Sequence, residues 1–295
     1  VEAGDAVTHD GSLGALIGQF TASDEFRSRK ASTQAVWRRR LKTMQVLYGK
    51  APADRVAAEH VQKALRKLTP GAARSERTIW RALFAFAVRE GWRKDNPARH
   101  VEIARAKTVP HETWTDADIA AFRDHWRAGS PERQAMEVIY WTGARCVDAA
   151  HIGWQKVRGG VLEYVQEKTG GTAVVPITAE VEPFLEADHA HFLAAAAPEM
   201  LFILTTTGKA RSVKALSQLV SRAAREAGLV GKTAHGLRRS RGVQLAENGW
   251  TPHQIGAWLG HESLHEVSHY TRDANKRALV MGNRSGNSGE TRKKL

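Results

Sequence analysis

Between residues 12 and 99 apolar side chains recur at intervals of three and four, with no alternating stretch, which is the period of helices that bury one face. Trp37, Leu41, Met44 and Tyr48 fall on one stripe, while Arg38, Arg39, Arg40 and Lys42 fall largely on the other faces, so an amphipathic helix with a basic outer side is predicted. Gly49 and Pro52 end it, a shorter helix is expected over about 56–68, and Pro70-Gly71 reads as the next turn. Ile79, Leu83 and Phe86, flanked by Trp80, Phe84 and Val88, predict a buried helix that Gly91 stops before an Asp95-Asn96-Pro97 turn. Residues 100–114 lose the period and carry Lys107 and Pro110, the signature of an extended linker. A helical first domain of four or five helices over 1–109 follows, then a second domain over 110–281 and a Gly-, Ser- and Lys-rich tail, 282–295, expected to be disordered.

In the second domain Thr115 and Asp118 have the spacing of a capping box ahead of Ile119, Phe122 and Trp126. After Gly129-Ser130-Pro131 a second helix carries Met136, Ile139 and Tyr140 into Thr142-Gly143-Ala144-Arg145. A glycine turn thus delivers Arg145 from the end of a buried helix, with Asp148 three residues on and within reach to orient its guanidinium. Val161 to Lys168 and Thr172 to Ile177, around Thr169-Gly170-Gly171, predict a β-hairpin with Lys168 at its tip. Helices are expected again over about 180–196, 212–227 and within 235–277. The fold class is mainly α with a small antiparallel β-sheet (α+β).

Charge narrows the partners. Lys and Arg total 44 against 31 Asp and Glu, a formal net charge of +13, which points to a polyanion and first of all to nucleic acid. That turns the Arg38, Arg39, Arg40 and Lys42 face from a merely solvated surface into a candidate DNA-contacting one. No stretch approaches the roughly 20 apolar residues that span a bilayer, so no membrane partner is expected. The opening residues lack a basic region ahead of an apolar core, so no secretory signal is expected. The single cysteine, Cys146, cannot form an internal disulfide and fits a reducing compartment, the cytoplasm; it reads as a small buried residue at a helix start.

The densest chemistry lies between 235 and 277. His235 and Arg238 stand three apart, on one face if helical, and Gly260-His261 precedes Tyr270 by nine residues. Two readings compete: a phosphate-handling site with a tyrosine nucleophile, or a zinc site, because His261-Glu262-Ser263-Leu264-His265 spells His-Glu-x-x-His. The zinc reading lacks a good third ligand in His269 or Glu290, and Gly260 interrupts the helix it needs. A phosphodiester is anionic and a poor electrophile, so a tyrosine attacking it needs cations around the phosphate and a proton source for the leaving group. Arg145, Arg238, Lys168, His235 and His261 supply both.

Taken in order, Arg145 after a Thr-Gly turn, Lys168 on a hairpin, His235-x-x-Arg238, Leu259-Gly260-His261 and Tyr270 resemble the tyrosine recombinases, in particular the phage-type integrases. GHESLHEVSHYTRDANKRAL is similar to the proteobacterial prophage branch. The motifs cover about 112–281; the first domain resembles the family by architecture only. Gly236 and Arg239 depart from the commonest wording, and neither is a catalytic position.

The resemblance implies a core-binding (SAM-like) domain and a catalytic domain that form a clamp around DNA. Tyr270 would attack the scissile phosphate to give a 3′-phosphotyrosyl bond and a free 5′-hydroxyl. Arg145 and Arg238 would clamp the non-bridging oxygens, and His261 would add a hydrogen bond. Lys168 would protonate the leaving oxygen, His235 would serve as acid or base near the tyrosine, and Asp148 would back the first arginine. No metal, ATP or other cofactor is implied. The implied partners are double-stranded attachment-site DNA, three further copies of the chain in a tetramer that passes through a Holliday junction, and accessory DNA-bending or directionality factors. A type IB topoisomerase and a non-catalytic DNA-binding regulator are the alternatives.

Overall fold

The computed structural model describes residues 11–103 and 112–274, and the chain divides into two compact units, Val1–Val109 and Pro110–Leu295. The tail at 282–295 and the centre of the linker lie outside the described residues.

Among the described residues five α-helices build the first unit: α1 (Leu13–Ala22), α2 (Asp24–Arg27), α3 (Ala31–Tyr48), α4 (Ala58–Arg66) and α5 (Pro70–Arg89). Ser12 and Ser23 cap α1 and α2 by accepting the Ala15 and Phe26 N–H groups. Trp37, Leu41 and Met44 turn inward from α3 against Phe20 and Phe26, and Ile79, Trp80, Leu83 and Phe84 face the same core from α5. Pro70-Gly71 is not a turn; it is the first turn of α5, because proline at the first helical position gives up an N–H that would have no intrahelical partner anyway.

The second unit comprises α6 (Asp116–His125), α7 (Pro131–Thr142), α8 (Cys146–Ala149), β1 (Val157–Arg158), β2 (Val161–Val165), β3 (Thr172–Pro176), α9 (Glu186–Ala195), α10 (Val213–Glu226), α11 (Ala234–Glu247), α12 (Pro252–Leu259) and α13 (Leu264–Asp273). Every residue of α7 from Ala135 to Thr142 is buried, and α9, α10 and α11 pack around it. The expected hairpin is β2–β3, with Val161 opposite Pro176 and Val165 opposite Thr172, and β1 adds a short outer strand to it. Trp126, expected on α6, lies just beyond its end as the C-cap, half-buried, with its indole N–H on the Ala223 carbonyl.

Polar side chains also enter this core. Arg123 of α6 donates to Glu137 of α7 at 2.9 and 2.8 Å and to Asp188 of α9 at 3.0 Å, and Arg133 reaches Glu137 at 2.6 Å. Arg241 of α11, fully buried, pairs with Asp188 at 3.2 Å and lies 4.2 Å above the Tyr140 ring. Burial alone would raise the Asp188 carboxyl's pKa, but Arg241 and Arg123 overcome it and hold the group below the ordinary carboxylate range. Helices α6, α7, α9 and α11 are thereby tied together.

Candidate active site

Gly143 ends α7 in the left-handed region, φ 61°, and a side chain there would meet Leu259 Cδ2 at 2.3 Å. Only glycine lets α7 stop this close to the end of α12, and the turn sets Arg145 at the N-cap of α8. Arg145 is half-buried and donates to Gln166 Oε1, just past β2. Gln166 is itself buried; its Nε2 donates to the Leu259 carbonyl at 2.6 Å, and its Oε1 also accepts the Thr169 hydroxyl at 2.9 Å. Burial, and then the nearby Arg238, lower the pKa of Arg145.

Arg238, 1 % exposed, reaches this cluster from α11. Its Nη1 donates to the Gly143 carbonyl at 2.7 Å, and its Nη2 donates to the Leu259 carbonyl at 2.7 Å and to His261 Nε2 at 2.8 Å. Gly260 caps α12 at φ 64° and turns the chain so that His261 faces back toward α11. A guanidinium has no acceptor, so His261 Nε2 is the unprotonated nitrogen and Nδ1 carries the hydrogen, which it donates to Glu266 Oε2 at 2.8 Å. The Tyr270 hydroxyl, 3.0 Å from the same Nε2, is therefore a donor to it. Burial, with Arg238 next, lowers the His261 pKa and keeps the ring neutral near pH 7, while Glu266 opposes that shift.

Arg145, Arg238, His261 and Tyr270 are thus one connected group. Lys168 and His235 are placed differently: Lys168 is exposed in the turn between β2 and β3, and His235 is exposed on the first turn of α11. The tyrosine hydroxyl meets His261, not His235. Asp148, expected to orient Arg145, acts on it by charge, while one carboxylate oxygen accepts the Glu167 N–H at 2.9 Å and the other is buried without a hydrogen-bond partner. Burial raises the Asp148 pKa, and the Glu167 N–H, Arg145 and Arg238 offset only part of that. Cys146 opens α8 half-buried, its thiol pushed up to about 11 by burial, the behaviour of an inert packing residue.

The His-Glu-x-x-His wording does not make a metal face. His261 precedes α13, whose first residue is Leu264, so His261 and His265 do not stand one turn apart on a helix; His265 is exposed. In the first unit Arg38, Arg39 and Lys42 are exposed, Arg38 with its guanidinium 4.9 Å over the Phe26 ring, and half-buried Arg40 is close enough to lower the pKa of Glu76, which burial raises. Gln166 and Glu266 are the two site residues with no motif to announce them. The one available cue is that Glu266 falls five residues after His261, in the first turn of the tyrosine's helix.

A model of the phage integrase family matches residues 117–277. The tyrosine recombinase XerD of Ralstonia nicotianae is 24% identical over 220 residues, 71% of this chain and 71% of its own length. Among solved structures, a lambda integrase dimer bound to a COC' core site is similar with TM-score 0.77 at 20% identity, over 95% of this chain and 80% of that one. A lambda integrase tetramer bound to a Holliday junction gives TM-score 0.76 at 21% identity, over 86% of this chain and 79% of that one. The Tn1549 transposon integrase in complex with a circular intermediate DNA gives 0.69 at 13% identity, over 92% and 98%. At these identities the structural likeness speaks to the fold.

Proposed function

The chain belongs to the phage integrase family, and we propose that Tyr270 is the nucleophile with which it cuts and rejoins DNA in site-specific recombination. As a tyrosine recombinase it breaks and rejoins DNA strands. The observation that carries the proposal is the Tyr270 hydroxyl hydrogen-bonded at 3.0 Å to a histidine nitrogen that also receives an Arg238 N–H. A phosphate entering beside Arg238 and Arg145 meets planar donors that match the charge building on its non-bridging oxygens. Attack by Tyr270 Oη forms the tyrosyl–phosphorus bond as the bond to the 5′-oxygen breaks, so the energy of the phosphodiester is kept for rejoining. Lys168 on the hairpin turn supplies the leaving oxygen's proton, and His235 is exposed at the start of α11.

Double-stranded attachment-site DNA is the proposed substrate. Strand exchange by a tetramer through a Holliday junction, aided by accessory DNA-bending or directionality factors, is the proposed course. A nicked suicide duplex carrying the attachment core, incubated with the protein in EDTA, is expected to give a covalent protein–DNA adduct. Tyr270→Phe is expected to abolish it. An adduct that persists in the variant moves the nucleophile to another residue.

A further inference from the structure

The geometry points to Glu266 as a positioning residue for the cleavage step: it fixes the His261 ring so that Nε2 takes the proton of the Tyr270 hydroxyl. The inference rests on Tyr270 as nucleophile and assigns the phenol's proton to the histidine that touches it at 3.0 Å, His261.

Three contacts converge on one ring. Nδ1 donates to Glu266 Oε2 at 2.8 Å, while Nε2 receives Arg238 Nη2 at 2.8 Å and the Tyr270 hydroxyl at 3.0 Å. The His261 side chain is 6% exposed and the Glu266 side chain 45%, so the carboxylate holds the ring from the rim of the site without being packed into the core. Its own pKa is lowered, first by the His261 hydrogen bond. Without an acceptor at Nδ1, the ring could flip or change tautomer and turn a hydrogen toward Tyr270. Once a phosphate oxygen takes the Arg238 N–H, the Nε2 lone pair is left to the phenol alone. As the tyrosyl–phosphorus bond forms, the phenol's proton passes to Nε2, and the 5′-oxygen departs with a proton from Lys168. The imidazolium so formed lies against the Glu266 carboxylate, and on rejoining it returns its proton to Tyr270.

The charged groups around His261 fix the expected pH response. Arg238 on α11 and Arg145 before α8 disfavour its protonation, and Glu266 on α13 favours it. The other charged groups on the neighbouring elements include Asp148 on α8, Arg239, Arg241 and Glu247 on α11, Arg272 on α13, Glu167 and Lys168 in the hairpin turn, and Glu262 beside the histidine. Cleavage needs neutral His261, so its rate rises with pH along an acid limb. Removing the carboxylate removes the influence that raises the His261 pKa, and the limb moves to lower pH.

The test is the single-turnover rate of adduct formation on the suicide duplex across pH, with wild-type and Tyr270→Phe in parallel. Glu266→Ala is expected to lower the plateau about tenfold or more, within the share that general acid–base catalysis supplies, and to move the acid limb down. Glu266→Gln keeps an oxygen to accept the Nδ1 hydrogen. It is expected to hold the plateau within about threefold, yet to show the same downward move of the limb. A structural role alone would lower both plateaus without moving either limb, which overturns the inference, as would wild-type profiles in both variants. Absence of an adduct in the wild-type protein overturns the Tyr270 reading instead, so the two failures are distinguishable.

Discussion

Arg238 donates to two main-chain carbonyls and a ring nitrogen that lie in different directions around one planar fork. A lysine keeps the charge, but its three N–H donors radiate from one nitrogen, which cannot stand where both Nη1 and Nη2 do. Arg238→Lys is expected to slow adduct formation about 10²–10³-fold, the usual cost of losing one pre-placed donor to a developing anion. The stranded carbonyls should lower the unfolding free energy by about 1–3 kcal/mol. Single-turnover cleavage and urea unfolding measure the two effects separately; a variant that cleaves at the wild-type rate would remove Arg238 from the phosphate clamp. Three arginines within four positions show what the sequence could disclose at this scale. Arg238 was legible from its spacing to His235, but nothing in the chain distinguishes Arg241 from Arg239, and Arg241 proves fully buried against Asp188 and Tyr140. Burial of a charge depends on partners 53 residues away, which no local pattern encodes.

The packing of α11 against α13 decides where the nucleophile's ring sits. A Cβ on Gly242 would lie 2.6 Å from Tyr270 Cδ1 and 2.7 Å from Cγ, so the glycine is the space the ring occupies. Within a helix alanine is favoured over glycine by about 0.5–1 kcal/mol, so Gly242→Ala should leave α11 intact or strengthen it. The same methyl must push the Tyr270 ring off His261. A displacement near 1 Å is enough to cost about a hundredfold in rate. The expected result is native circular dichroism and native DNA binding with adduct formation down by about that factor. Wild-type cleavage would mean that α13 moves without consequence for the chemistry. The hairpin and α7 were legible as elements, because period and glycine stops are local, whereas α11 was legible only as helix somewhere within 235–277. Its contact with Tyr270 was not legible, since Gly242 reads in sequence as a flaw in a helix and becomes a fitted surface only when α13 returns to cover it. Pro70 misleads and the short β1 strand goes unread for a related reason: a proline-glycine pair signals a turn and a helix start alike, and a two-residue strand has no period.

At the scale of the whole chain, the excess of positive charge makes DNA affinity an ionic-strength-dependent quantity. Each phosphate neutralised on duplex DNA releases counterions and contributes about 0.9 to the slope of log affinity against log salt. The basic stretch of α3 contributes unequally to that slope. With 100° per residue, Arg39 and Lys42 point away from the Trp37, Leu41 and Met44 stripe, and both are exposed. Arg38 and Arg40 flank the stripe: Arg38, though exposed, lies over the Phe26 ring, and Arg40 is half-buried beside Glu76. Arg39→Ala with Lys42→Ala is therefore expected to reduce the slope by about 2 and to weaken binding alike for cognate and unrelated duplexes, because phosphates carry no sequence information. Adduct formation at saturating DNA should stay at the wild-type rate, since neither residue belongs to the Tyr270 site. Titrations by fluorescence anisotropy from low to moderate salt give the slope directly. An unchanged slope would place the DNA on another face of the first unit, whereas a slope change with lost sequence preference would mean that these side chains read bases as well as backbone.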